Sequence, residues 1–251
     1  MAKQKGTVQL QGTIGNLTFF KSIDGYMVKA KSQVSKDRIL SDPKFARTRE
    51  NMAEFGNAGK SAKKLRTPFS NLLQTSSDPR MVSRLTALCV RILKTDATAK
   101  RGKRTVVNGD VTLLSDFEFN NKGILSTTLL APYTVTFTRT TGNVQFDLPV
   151  FTPQLGIAAP QGTTHYQLQL AAAPVDLNAK KNLAVQTSSA ILPWDNSPTT
   201  ALSLMLALPA NSTNPVLVLL QLQFLEQLNT DYYALQNGAY NACAIIDVDT
   251  P

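Results

Sequence analysis

Few residues in this chain have types and spacing that suggest chemistry. Asn57-Ala58-Gly59-Lys60-Ser61 ends like a phosphate-binding loop, where backbone amides and a lysine cradle phosphate oxygens. That pattern needs a glycine five positions before Gly59, and Glu54 stands there. The segment also falls inside a predicted helix rather than after a strand, so no nucleotide site is expected. The one histidine, His165, lies between Thr164 and Tyr166 in a strand-like run, and no nucleophile elbow accompanies it. One histidine and two distant cysteines, Cys89 and Cys243, cannot make a zinc set. In apolar surroundings the cysteines read as small buried hydrophobes. Asp147, Asp176, Asp195, Asp247 and Asp249 are scattered among turns and strand ends, the pattern of a solvated surface. The expectation is no catalytic residue, no cofactor, no metal and no enzyme.

The basic residues carry the remaining signal. Residues 1–105 hold 22 lysines and arginines against 7 acids, a net charge of +15; residues 106–251 hold 4 against 10, a net charge of −6. Candidate contacts to a polyanion, or to another copy of the chain, are Arg47, Arg49, Lys60, Lys63, Lys64 and Arg66 on one predicted helix. Arg80, Arg84 and Arg91 on a second helix join them, as do Lys100, Arg101, Lys103 and Arg104 in the loop beyond it. No helix-turn-helix, zinc-finger, RNP or KH signature is present, and aromatics are not interleaved with the bases. Any nucleic-acid contact is therefore expected to be non-specific. Trp194, the only tryptophan, sits in a loop and is a candidate contact anchor, although a loop tryptophan also caps cores.

Those residues need elements to hold them. Residues 6–31 alternate and contain Gly15-Asn16 and Asp24-Gly25 turns, predicting a β-hairpin or small β-unit. Ser41-Asp42-Pro43 opens a helix to about Arg66, with Phe45, Met52, Phe55, Gly59, Ala62 and Leu65 on one side. Gly56 and Gly59 inside it mark a kink or a close backbone approach. Ser77-Asp78-Pro79-Arg80 repeats the start signal, predicting a second helix with Met81, Val82, Leu85, Leu88, Cys89 and Ile92 inward. From Thr105 onward, strand-like runs follow one another, among them 111–119, 124–130, 133–139, 143–148, 165–172, 182–186, 201–208, 232–235 and 240–248. The apolar run 216–228 is predicted to be the central strand, buried on both faces. The expected fold is α+β: an N-terminal β-hairpin and helical hairpin (1–105), then an antiparallel Ig-like β-sandwich (106–251).

No stretch of apolar residues is long enough to span a membrane, and no apolar segment follows the charged start, so cytoplasmic synthesis without a signal peptide is expected. The run from Gly12 to Phe20, with Asp24-Gly25-Tyr26, Ser41 to Phe55 and Tyr233 to Ala242, resembles a family of uncharacterised proteins from Bacteroidota genomes. That resemblance implies no activity, cofactor or site. The leading expectation is a non-enzymatic, self-associating structural protein, a homo-oligomer or polymer of phage-like type. It would form a filament, tube, shell or lattice through contacts between oppositely charged parts of successive copies. A non-specific nucleic-acid-associated protein is the alternative, and a ligand- or carbohydrate-binding β-sandwich module the second.

Overall fold

Val216–Leu228 has thirteen residues, nearly all apolar up to Leu225. A strand this apolar on alternate and intervening positions must be covered on both faces. In the computed structural model, which describes all 251 residues, it is covered on both. The chain divides into two units, Met1–Asn51 and Met52–Pro251.

The first unit is a four-stranded antiparallel sheet followed by helix. Its strands are β1 (Ala2–Lys3), β2 (Gly12–Ile14), β3 (Leu17–Ser22) and β4 (Gly25–Ala30), in the order β1-β4-β3-β2. The expected hairpin is thus the centre of a wider sheet, turned at Gly25, whose φ of +102° suits glycine. A short helix, α1 (Lys36–Ser41), was not foreseen; Ser35 Oγ caps it by accepting from the Arg38 amide at 3.2 Å. Asp42 then accepts from the Lys44 amide at 2.9 Å, and a 3-10 turn at Pro43–Phe45 leads into α2 (Ala46–Arg66). The cap is Asp42, the residue before the proline, as the start signal predicts.

The second unit is built in three layers. Helices α2 (from Met52), α3 (Ser70–Ser76) and α4 (Met81–Lys94) form the first. Short helices α5 (Leu125–Thr128) and α6 (Pro153–Gly156) interrupt the strands that follow. Those strands are β5 (Thr134–Thr138), β6 (Asn143–Leu148), β7 (His165–Pro174), β8 (Val185–Ser188), β9 (Leu192–Pro193) and β10 (Leu202–Ala207). Then come β11 (Val216–Leu228), β12 (Asp231–Ala234) and β13 (Ala242–Asp249). All pairings are antiparallel. One sheet runs β10-β6-β5; in the other β11 is flanked by β7 on one edge and by β13 and β12 in succession on the other.

Alternation along β11 explains the layers. Leu217 and Leu219 face the helices and pack with Ala62, Phe69, Leu85, Cys89 and Ile92. Val216, Val218, Leu220, Leu222 and Phe224 face the three-stranded sheet, against Val144, Phe146, Leu204 and Leu206. Because residues 58–93 and the sheet share one core, the charge seam near residue 105 does not fall where the packing divides. A mixed fold with antiparallel sheets is observed. The Ig-like arrangement is not confirmed, since helices cover one face of the larger sheet.

Several expectations change, including Val82 on α4, which is 47 % exposed instead of inward. The inward stripe of α2 is Ala58, Ala62 and Leu65 with Glu54, while Met52 and Phe55 are exposed. Gly56 and Gly59 meet nothing within 4 Å of an added Cβ, so no backbone of this chain approaches them closely. Residues 111–119 form a 3-10 turn at Val111–Leu114 and a left-handed Asp116, because Asp110 caps the turn by accepting from the Thr112 amide. Only 116–119 run beside β13: the Asp116 and Phe119 amides donate to Ile245 O and Cys243 O at 2.9 and 2.8 Å, and the Ile245 amide donates to Phe117 O at 3.1 Å, around an antiparallel bridge of Glu118 to Ala244. Likewise 124–130 becomes α5, with a single bridge from Leu129 to Ile157.

Where β13 stops pairing with β11 at Leu222 and β12 begins at Leu225, the ladder has a gap. Asn241, fully buried, fills it: its Oδ1 accepts from the Phe224 amide at 3.0 Å and its Nδ2 donates to Thr75 O at 3.1 Å. Asn120 Nδ2 in turn donates to Asn241 O at 2.8 Å. Gly238, at φ +77°, lets this turn pass Thr75 O, which a Cβ would meet at 2.4 Å.

Candidate functional site

The thirteen basic candidates separate by what their side chains already do. Arg104 is committed to Glu54, a carboxylate 4 % exposed on the inward side of α2, through bonds of 2.7 and 2.9 Å. Glu54 also accepts from the Gly102 amide at 2.7 Å. The Arg104 hydrogen bond holds the Glu54 carboxyl below its usual range, against the opposing effect of burial. Asp96 closes the same loop: Oδ1 accepts from the Thr98 hydroxyl at 2.7 Å and Oδ2 from the Thr105 amide at 3.0 Å. Those bonds bring its pKa down to about 2. The loop carrying Lys100, Arg101 and Lys103 is therefore fastened at both ends, with these three exposed.

Arg84 pairs with Asp78, donates to Glu118 O at 2.6 Å and lies over the Phe117 ring at 5.3 Å. Arg49 donates to Ile39 O and Asp42 O, and Arg47 pairs with Glu50 at 2.8 Å on the surface. Arg49, Arg84 and Arg104 are thus structural. Lys60, Lys63, Arg80 and Arg91 are exposed, and Arg66 is half-buried.

Lys60, Lys63 and Lys64 do come together, with two lysines not singled out from sequence. They line a cavity of about 480 Å³ with Lys180 and Lys181 from the loop between β7 and β8. Helical spacing brings Asn57, Ser61 and Lys64 to the same wall, so part of the phosphate-loop-like segment faces the cavity although it is helical. Lys64 Nζ donates to Leu177 O and ties the loop to the helix. The loop closes on itself as Asn182 accepts from the Asp176 amide at 3.1 Å and donates to Asp176 O at 3.0 Å. Val106, Val107 and Leu177 supply apolar wall, and no acidic residue lines the cavity. The available signal was the doublet Lys180-Lys181, half of the four bases in residues 106–251.

The remaining candidates stay with packing. Trp194 is half-buried against the core between the sheets, and its Nε1 donates to Ile157 O at 3.2 Å. His165 Nδ1 lies 3.0 Å from the Thr164 hydroxyl, and its ring meets Tyr232 edge-on. Cys89 and Cys243 are buried free thiols whose pKa burial pushes up to about 12. No group of acidic, cysteine and histidine side chains is arranged to hold a metal ion. No helix is long and apolar enough to cross a membrane.

In the first unit the register places Ile14, Leu17, Phe19, Tyr26, Val28 and Ala30 on one sheet face with Lys21 among them, while Phe20 pairs with Met27 on the other. Ile14 pairs with Leu17, Phe19 with Val28, Lys21 with Tyr26 and Leu17 with Ala30, and in a strand alternate residues share a face. Not one residue of 1–51 is buried; Ile14 is 61 % exposed and Leu17 45 %. No protein-family model matches the chain, and no curated protein or solved structure is significantly similar to it.

Proposed function

We propose that this chain is a non-enzymatic, self-associating structural protein whose first unit docks on another copy. The observation that carries this reading is a four-stranded sheet with apolar side chains on one face and no buried residue. A sheet needs a covered hydrophobic face to be stable, and a unit of about fifty residues is marginal even with a core. Exposed apolar area of that kind marks an interaction surface.

The partner is a second copy on grounds of charge. Residues 1–51 carry 10 bases against 4 acids, and residues 106–251 carry 10 acids against 4 bases. A basic apolar unit meeting an acidic β surface on the next copy is a head-to-tail contact, which extends into a filament, tube or lattice unless the rotation closes a ring. The second unit, with two continuous cores and buried free cysteines, is the rigid body in this reading.

Negative-stain microscopy of the purified full chain at low and moderate salt tests the proposal. Ordered oligomers or polymers that shorten as salt rises are the expected outcome. A field of uniform monomers at high protein concentration would overturn it.

A further inference from the structure

We propose that the lysine-lined cavity between α2 and the 176–182 loop binds the phosphate groups of a small phosphorylated molecule. Five lysines and no acid line it. Lys60 and Lys64, four apart on a helix, repel each other mildly, and Lys180 and Lys181 add charge to the same space. Cations in the last turn of α2 are suited to the helix dipole, which accounts for Lys63, Lys64 and Arg66 alone. The dipole gives no reason for the two lysines brought from the sheet side of the fold. A multiply charged anion gives one.

The geometry is that of a held site. Lys64 spans to Leu177 O, and Asp176 and Asn182 lock the loop's backbone, so Lys180 and Lys181 are presented by a closed loop. Lysine acts on phosphate as a point charge with three donors, and Asn57, Ser61 and Asn182 add neutral hydrogen-bonding groups. About 480 Å³ is the size of a small-ligand pocket. Val106, Val107 and Leu177 give an apolar wall for the body that carries the phosphates.

Isothermal titration of the full chain with ATP and with inorganic tripolyphosphate at low ionic strength tests this. Both should bind. Equal affinity indicates that the polyphosphate alone is recognised, and tighter ATP binding that the apolar wall holds the base; either result supports the site. The variant Lys60→Ala/Lys180→Ala/Lys181→Ala should weaken binding about tenfold or more, because each lysine lost removes a phosphate contact. Lys64 is kept because it holds the loop. If that variant fails to fold, Lys180→Gln/Lys181→Gln, confined to exposed loop positions, should show a smaller loss in the same direction. No binding of either probe at millimolar concentration overturns the proposal. So does equal binding by the lysine variants, or lysine-dependent binding of a single-stranded oligonucleotide without binding of tripolyphosphate.

Discussion

Glu54 is the residue whose role differs most from its surroundings in sequence. It sits among apolar and basic neighbours, yet it points inward and anchors the loop through Arg104 and the Gly102 amide. Removing one partner of the pair leaves the other uncompensated, so Glu54→Gln should lower the urea-unfolding midpoint. Its carboxyl is held low by Arg104, and that of Asp96 is held at about 2 by the Thr98 hydroxyl and loop amides. A depressed folded pKa contributes stability above the ordinary carboxylate range, lost as pH falls through the folded value. Glu118, pushed up by burial, acts with the opposite sign. The difference between wild type and Asp96→Asn isolates one group: the stability gap should be full above pH about 4 and narrow toward pH about 2. Thermal midpoints measured across that range check it. Asn241 and Gln221 form a second contrast. Asn241→Leu orphans the buried Phe224 amide and should cost about 2 kcal/mol or more. Gln221→Leu should cost less, because its Oε1 already lacks a partner. Pairings of this kind join residues tens of positions apart, so sequence spacing gave no sign of them.

At the scale of elements, the apolar periodicity of the strands from β5 onward coincides with their ladders. The strand at 216–228 was legible because only a strand covered on both faces tolerates such a run. The start of α4 was legible in Asp78-Pro79, and Asp78 does accept from the Arg80 amide at 2.7 Å. The face of α2 was not, since Met52 and Phe55 drew the stripe one way while Ala58 and Ala62 follow the other. Large apolar residues dominate a pattern, but close packing on a sheet selects small ones. The 111–119 and 124–130 segments have strand composition, yet only 116–119 pair, beside β13; composition reports a half-buried surface, and pairing depends on what lies alongside. Because Gly56 and Gly59 face open space in the chain, each Gly→Ala change should stabilise the second unit by about 1 kcal/mol. Chemical unfolding reads that directly. Should the same substitutions weaken assembly, the small-residue face is used between copies.

For the whole molecule, the strongest signal in the sequence was charge asymmetry, and its seam near residue 105 was visible without coordinates. Packing divides the chain elsewhere, at Asn51 and Met52, because charge follows the surface whereas the core follows apolar contacts. The candidate cavity draws on both sides of that seam, which is why Lys180 and Lys181 escaped a reading centred on the basic part. The sheet of residues 1–51, with apolar side chains such as Phe19 and Val28 on one face and without a buried residue, is the feature on which self-association rests. Sedimentation velocity of the full chain beside Phe19→Asp/Val28→Asp, over a range of protein concentrations, addresses it most directly. Wild type should form concentration-dependent oligomers and the double variant should stay a monomer, with the unfolding midpoint of the second unit unchanged. A wild-type chain that stays monomeric throughout, or a variant that assembles as well as wild type, would contradict it.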